Sequence, residues 1–323
     1  MSHTALADGA RFRRRGRLLV AAAAIFWSLG GLMARSVGTD PWTTVFWRGL
    51  FCAAFLVAVT AVREGRHTPG VFAGMGGAGV GMAVCFAIGS TCFILALHHT
   101  SVANVLIIQS LSPFMAGLLG WIWMGERVAG RTWLAMGIVL LGTAVMVSRY
   151  FYSTPARGSL GGDLLAFAVA LTFALATVLL RRRRQVQMLP AAALATALTS
   201  AIASVAATPG AAGAGDLMLL ALFGAGQLGL GMILFTAGAR RIPVAEASLI
   251  AVLESVLGPV WVWLALGENP GLPSLMGGAV VLAALAGHTL ADLRLERGAD
   301  PQAGSRNRSM AARALSRVGS SAM

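Results

Sequence analysis

The run HTPGVFAGMGGAGVGMAVCFAIGSTCFILALHHTSVANVLIIQSLSPFMAGLLGWIWMG, residues 67–125, carries no Asp, Glu, Lys or Arg in 59 positions. It lies between Arg66 and Glu126. A helix that crosses a bilayer needs about 20 mostly apolar residues, so this stretch holds two crossings and a turn. The rest of the chain has the same character. Of its 323 residues, 57% are apolar and 11% charged, against about 25% charged in a soluble domain. The chain reads as an integral, multi-pass membrane protein.

Working outward from that run, apolar windows bounded by charge, Pro or Gly give ten spans. The first five fall near 18–37, 42–62, 71–97, 101–124 and 132–149, and the second five near 163–180, 188–207, 216–239, 244–266 and 272–291. Lipid admits only helices and closed barrels, because every backbone polar group must find a partner within the protein. Barrel strands alternate apolar and polar residues with period two, and these windows do not. The expected fold is an all-α membrane protein with ten transmembrane helices. Arg11 to Arg17 followed by Leu18 to Ala34 resembles a signal peptide but is read as a first span, since no clear small-residue cleavage site follows. Residues 150–162 read as an external linker, and 292–323 as a basic tail that is disordered or holds a short surface helix around Arg308 to Val318.

The net charge of +13 comes from 25 basic residues, all of them Arg. They cluster between apolar runs, as orientation signals do, which argues against a nucleic-acid partner. With the N-terminus inside, 21 arginines fall on the cytoplasmic side, among them the cluster within residues 1–17, Arg181 to Arg184, and Arg240 with Arg241. Only Arg149 and Arg157 fall in outer loops. The positive-inside rule therefore places both termini in the cytoplasm. Cys52, Cys85 and Cys92 sit in apolar segments without metal spacing and read as packing residues. No cofactor or metal is expected.

A shift of 142 residues aligns the chain with itself. It puts Gly89 on Gly231, Phe93 on Phe235, Val102 on Val244, Leu111 on Leu253, Trp121 on Trp263 and Gly125-Glu126 on Gly267-Glu268. Residues 18–149 and 163–291 are thus two five-span repeats. An odd number of spans inverts the second copy. Charges at aligned loops agree: His98 and His99 lie opposite Arg240 and Arg241, and Arg127 and Arg131 lie opposite Asn269 and Pro273. Inverted repeats are an architecture of secondary transporters.

These features resemble the drug/metabolite transporter superfamily, and within it the EamA-type transporters. The residues that carry the likeness are Trp27-Ser28-Leu29-Gly30-Gly31, Phe46-Trp47-Arg48, Ala103-Asn104-Val105 with Leu111-Ser112-Pro113, Gly162-Asp163-Leu164-Leu165, and Val244 to Leu249 with Leu253-Glu254-Ser255. Ser255 stands where many relatives have Pro, and Phe173 where the second repeat often has Trp. The resemblance implies a bacterial-type inner membrane, a cavity lined by spans one to four and six to nine, and peripheral fifth and tenth spans.

Isolated polar residues within the spans are the functional candidates. Glu254 falls near the bilayer midplane, where a charge costs about 2.5–3.5 kcal/mol on insertion scales and should face the bundle interior. It either couples a proton or a cation to transport, or holds helices together. Arg48 is an anion site, a partner for Glu254 across a cavity, or a side chain snorkelling to the headgroups. Asn104, Gln109, Ser110, Ser112 and Gln227 either line a path or bond between helices. Trp27 is a substrate wall or core. Glu246 suits the positive end of a helix dipole, and the duplicated Glu126 and Glu268 suggest a shared structural task. Pro113 and Pro259 should interrupt their helices in mid-membrane. Gly224 to Gly229 matches GxGxxG, but it lies in a span with no strand before it, so a dinucleotide site is rejected. Glycines such as Gly70, Gly74, Gly77 and Gly81 should allow close helix packing.

The expected function is a secondary transporter of a small organic metabolite or drug working by alternating access. There is no GxxxxGK[ST] motif to support a primary pump. A membrane-embedded enzyme would need convergent nucleophile, base or metal ligands, and a channel would need a ring of like polar residues.

Overall fold

The structure, a computed structural model, describes residues 3–100, 102–153, 160–182, 189–267 and 271–298. No strand occurs among them. The helices are α1 (His3–Ser28), α2 (Gly30–Ser36), α3 (Pro41–Glu64), α4 (Thr68–Gly74), α5 (Gly76–His99), α6 (Val102–Gln109), α7 (Ser112–Met124) and α8 (Gly130–Ser153). They continue as α9 (Leu160–Arg182), α10 (Leu189–Ala203), α11 (Ala214–Ala221), α12 (Leu230–Ala239), α13 (Val244–Ala251), α14 (Leu253–Leu266) and α15 (Gly271–Gly298). A π-helical turn, Leu222–Gly229, joins α11 to α12. The expected tail helix lies outside the described residues.

Eight helical segments among the described residues are long and apolar enough to cross a membrane. Two shorter apolar helices, Gly130–Met146 and Leu189–Ala203, stand where the fifth and seventh spans are expected. The second of these, α10, is composed largely of Ala, Leu and Thr and buries ten of its 15 residues. Its small side chains let α3, α5 and α12 close around it. Helix α1 begins well before the first apolar window, because Arg and Ala are strong helix formers and carry the helix through the basic cluster.

Two segments break in mid-course at equivalent places. α6 stops at Gln109 and α7 starts at Ser112, while α13 stops at Ala251 and α14 starts at Leu253. Pro113 stands in the first turn of α7, where its missing N–H costs nothing. Pro259 does not make the second break as expected. It lies inside α14, beyond a gap already opened at Val252. Both segments end on a glycine in the left-handed region, Gly125 at φ +66° and Gly267 at φ +71°, where any other residue would be strained.

Several helix contacts recur when the halves are exchanged. α5 packs on α9 as α12 packs on α1, and α5 on α10 as the π-helical segment packs on α3. α3 with α10 and α8 with α15 pair counterpart to counterpart, whereas the contact of α7 with α13 has no equal between α14 and α6. One pair of aligned positions is bonded in both places, though through different groups. Thr132 Oγ1 and His288 Nε2 are 2.9 Å apart. The shift of 142 turns that pair into Ser274 and Met146, and Ser274 Oγ donates to the Met146 carbonyl at 3.0 Å. Of the glycines expected to allow close packing, Gly70, Gly74 and Gly77 have nothing near them. Close backbone approaches occur instead at other glycines, among them Gly277, against Gly142 and Met146, and Gly224, against Arg48 and Cys52.

The basic residues gather at one end. There Arg17 is ion-paired with Glu246, both buried. Arg181 Nε donates to Glu126 Oε1 at 3.1 Å and Arg181 Nη1 to the Arg240 carbonyl at 2.7 Å. The Val244 N–H donates to Glu126 Oε2 at 3.3 Å, so Glu126 caps α13. At the other end Asp40 caps α3, accepting from the Trp42 and Thr43 N–H groups at 2.9 and 3.0 Å. Hydrogen bonding by Thr43 above all holds its carboxyl below the usual range.

Candidate functional site

A cavity of about 210 Å³ lies in the middle of the bundle. Its lining comes from α1, α3, α5, α6, α9, α10, the π-helical turn, α12 and α14, while α8 and α15 contribute no residue. Five of the residues singled out from the sequence meet there: Trp27, Arg48, Gln109, Gln227 and Glu254. They come from segments far apart in the chain, and each is an isolated polar or amphipathic side chain in an apolar helix.

The two charges face the same space and attract one another. No hydrogen bond or ion pair joins them directly among the described residues. The Arg48 guanidinium lies 5.0 Å from the centre of the Phe223 ring, a cation–π contact worth about 0.5–2 kcal/mol. Arg48 is thus turned toward the cavity. Glu254 stands at the start of α14, just after the break at Val252. The N-terminal end of a helix carries unpaired N–H groups and favours a carboxylate.

An aromatic wall closes one side of the cavity. Phe86 and Phe173 of the lining meet edge to face at 6.0 Å, and Phe235, fully buried and outside the lining, links them to Trp27 through tilted contacts at 5.5 Å with Phe173 and 5.1 Å with Trp27. Gln227 Nε2 donates to the Trp27 carbonyl at 2.7 Å. Trp27 Nε1 and Gln227 Oε1 are buried with no hydrogen-bond partner among the described residues. Both residues line the cavity, so these polar atoms stand beside the space where a ligand would sit. The π-helical turn that presents Gln227 is itself a departure from regular helix, of a kind that recurs at functional sites.

The other functional candidates among the described residues do not line this cavity. Ser112 begins α7, is buried, and does not line the cavity. The shift of 142 makes it the counterpart of Glu254, so the two halves place different chemistry at the same break. Ser110 donates to the Ile107 carbonyl at 2.6 Å and satisfies the end of α6. The side chain of Asn104 and residue Glu268 lie outside the described residues. Glu246, buried in its pair with Arg17, and Glu126, capping α13, do structural work at the arginine-rich end.

Sequence reasoning missed Phe86, Phe223 and Phe235 and the threonines of the cavity. Thr196 and Thr199 of α10 and Thr172 of α9 line it with their hydroxyls donating to carbonyls of their own helices. The pair Thr196 and Thr199, spaced three apart in an Ala-rich helix, is the signal that points to them.

Comparison with known proteins agrees with this architecture. An uncharacterized transporter of Archaeoglobus fulgidus is 25% identical over 283 residues, spanning 84% of this chain and 96% of its own. A crystal structure superposes with a TM-score of 0.74 at 20% identity, over 85% of this chain and 98% of the other, which establishes likeness of fold. The sequence signature of the EamA-like transporter family matches twice, over residues 14–148 and 160–290. Two matches of one signature, together with an all-helical fold that holds eight membrane-length apolar helices among the described residues, lead to one assignment: the chain belongs to the EamA-like transporter family.

Proposed function

We propose that this protein is a secondary transporter of a small organic metabolite or drug, set in a bacterial-type cytoplasmic membrane with both termini inside. Its ten spans form two inverted halves that rock about the central cavity. The carrying observation is that cavity: opposite charges from Arg48 and Glu254, an aromatic wall, and lining drawn from both halves. Such a space suits a compact molecule with polar and apolar parts, since few polar groups on an apolar wall fix orientation. The unpaired Trp27 Nε1 and Gln227 Oε1 favour rearrangement when substrate enters or the halves rock. Broken helices beside a midplane site match the way transporters expose polar backbone within a membrane. The ion pairs at the arginine-rich end cross between the halves and would part and re-form during the cycle.

Glu254 is the coupling group in this reading. One carboxylate on the cavity can hold a proton or a substrate cation, which ties substrate movement to a gradient. The test begins with a metabolite screen by thermal shift on purified protein at two pH values. The ligand found is then followed in proteoliposomes by exchange and by accumulation driven by a pH gradient. With Glu254→Gln, exchange should persist while driven accumulation is lost. Loss of both together would assign Glu254 to substrate binding, and wild-type behaviour in both would remove it from the site.

A further inference from the structure

Two glycines that the 142-residue shift aligns, Gly89 on α5 and Gly231 on α12, stand beside the central cavity. Each meets the first long helix of the opposite half. A Cβ at Gly231 would fall on Nε1 and Cδ1 of Trp27, from α1. A Cβ at Gly89 would come within 2.7 Å of Thr172 Oγ1, from α9. Trp27, Thr172 and Gly89 itself line the cavity, and Gly231 lies against the indole edge. With no Cβ, each glycine leaves a notch that the facing side chain fills. The notch keeps that side chain back from the open space.

The surroundings decide where these side chains would go if the notches were filled. Phe235, one turn beyond Gly231 on α12, packs on the same indole with ring centres 5.1 Å apart. Further along, α1 and α12 touch closely, since a Cβ at Gly238 would meet the Gly16 carbonyl at 2.8 Å. Thr172 is tied to its own helix, its hydroxyl donating to the Ala168 carbonyl at 2.7 Å. Protein interiors are packed about as densely as organic crystals and do not absorb a displaced side chain. The empty space of the cavity is where added bulk goes.

We propose that Gly89 and Gly231 are specificity-determining residues that fix the width of the cavity and so the bulk of the substrate it admits. Gly231 is a positioning residue that acts through Trp27. Gly89 acts through Thr172 and through its own lack of a side chain on the wall. A larger residue at either place narrows the cavity and excludes broad apolar groups before slim ones. Calling the cavity a substrate site rests on the function proposed above. Its width does not, and it can be measured without any substrate.

Cys85, which lines the cavity from α5, supplies the measurement. With Cys52→Ala and Cys92→Ala it is the sole thiol of the full-length chain. Its rates of modification in detergent by methyl and by benzyl methanethiosulfonate are compared. Thiolate is the nucleophile toward both, so their ratio cancels changes in the thiol itself. Gly231→Ala and Gly89→Ala should each lower the benzyl-to-methyl ratio about tenfold. Gly137→Ala, with open space for its Cβ, should leave the ratio unchanged. Gly231→Ala combined with Trp27→Ala should match Trp27→Ala alone, because the added methyl acts only through the ring. An unchanged ratio in either glycine variant would overturn the inference, and so would a double variant as restricted as Gly231→Ala. Failure of Cys85 to react with the methyl reagent would overturn it too, since the cavity would then admit nothing. Where Gly231→Ala does not fold, recovery of folding with Trp27→Ala supports the inference and lack of recovery contradicts it. Gly89→Ala with Thr172→Ala is judged in the same way.

Discussion

Arg48 and Glu254 pose the main energetic question in the molecule, because two charges share an apolar interior without touching. Removing one leaves the other without its counter-charge, and an uncompensated buried charge is strongly unfavourable. The Phe223 face offsets part of the cost for Arg48. We expect Arg48→Gln to weaken ligand stabilisation by at least about tenfold, equivalent to ~1.4 kcal/mol. Arg48→Lys should fall between, since it keeps the charge but loses the flat stacking surface. Thermal titration with the ligand from the screen reads both, and unchanged affinity in Arg48→Gln would take Arg48 out of the site. These two residues were legible in the sequence because a charge inside a span is conspicuous. The aromatic wall was not. Phe167 and Phe173 lie on the same helix, yet Phe167 is 44% exposed at the surface while Phe173 lines the cavity. When a helix is apolar on every side, composition does not say which face looks inward.

At the scale of elements, the fold depends on backbones coming close where the fifth and last spans meet. A Cβ at Gly277 would strike the Gly142 carbonyl and the Met146 backbone, neither of which can swing aside. Gly137, on α8 as well, has open space where its Cβ would go. Gly→Ala inside a helix gains up to about 1 kcal/mol in propensity when nothing else changes. Gly277→Ala should therefore lower the unfolding temperature in detergent, whereas Gly137→Ala should leave it unchanged or raise it. Equal behaviour of the two would show that α8 and α15 are not closely packed. The break before Glu254 was only partly legible. Proline was expected to set it, and Pro113 does sit beside a break, but the second gap opens at Val252 ahead of Pro259. The repeat register, not proline chemistry, locates it. Ser112 failed as a cavity residue because its place at the start of α7 turns it into packed protein.

For the whole molecule, the charge-free run of residues 67–125 and the 142-residue shift are what carried the fold. Helices satisfy their backbones in lipid whatever the details of packing, so hydropathy was enough to find them. The repeat itself was legible because the same residues recur 142 positions apart, and the family signature matches each half once. What hydropathy does not encode is which faces meet. The functional account rests on the second half entering the membrane the opposite way up from the first, since rocking about a shared site requires it. Cysteine accessibility in intact cells tests this directly, on a background with Cys52, Cys85 and Cys92 replaced. A cysteine at Gly213 should react with an impermeant reagent from outside, and one at Arg182 should react only after the membrane is opened. Labelling of Arg182→Cys from outside, with Gly213→Cys protected, would contradict the inverted arrangement and the transport cycle built on it.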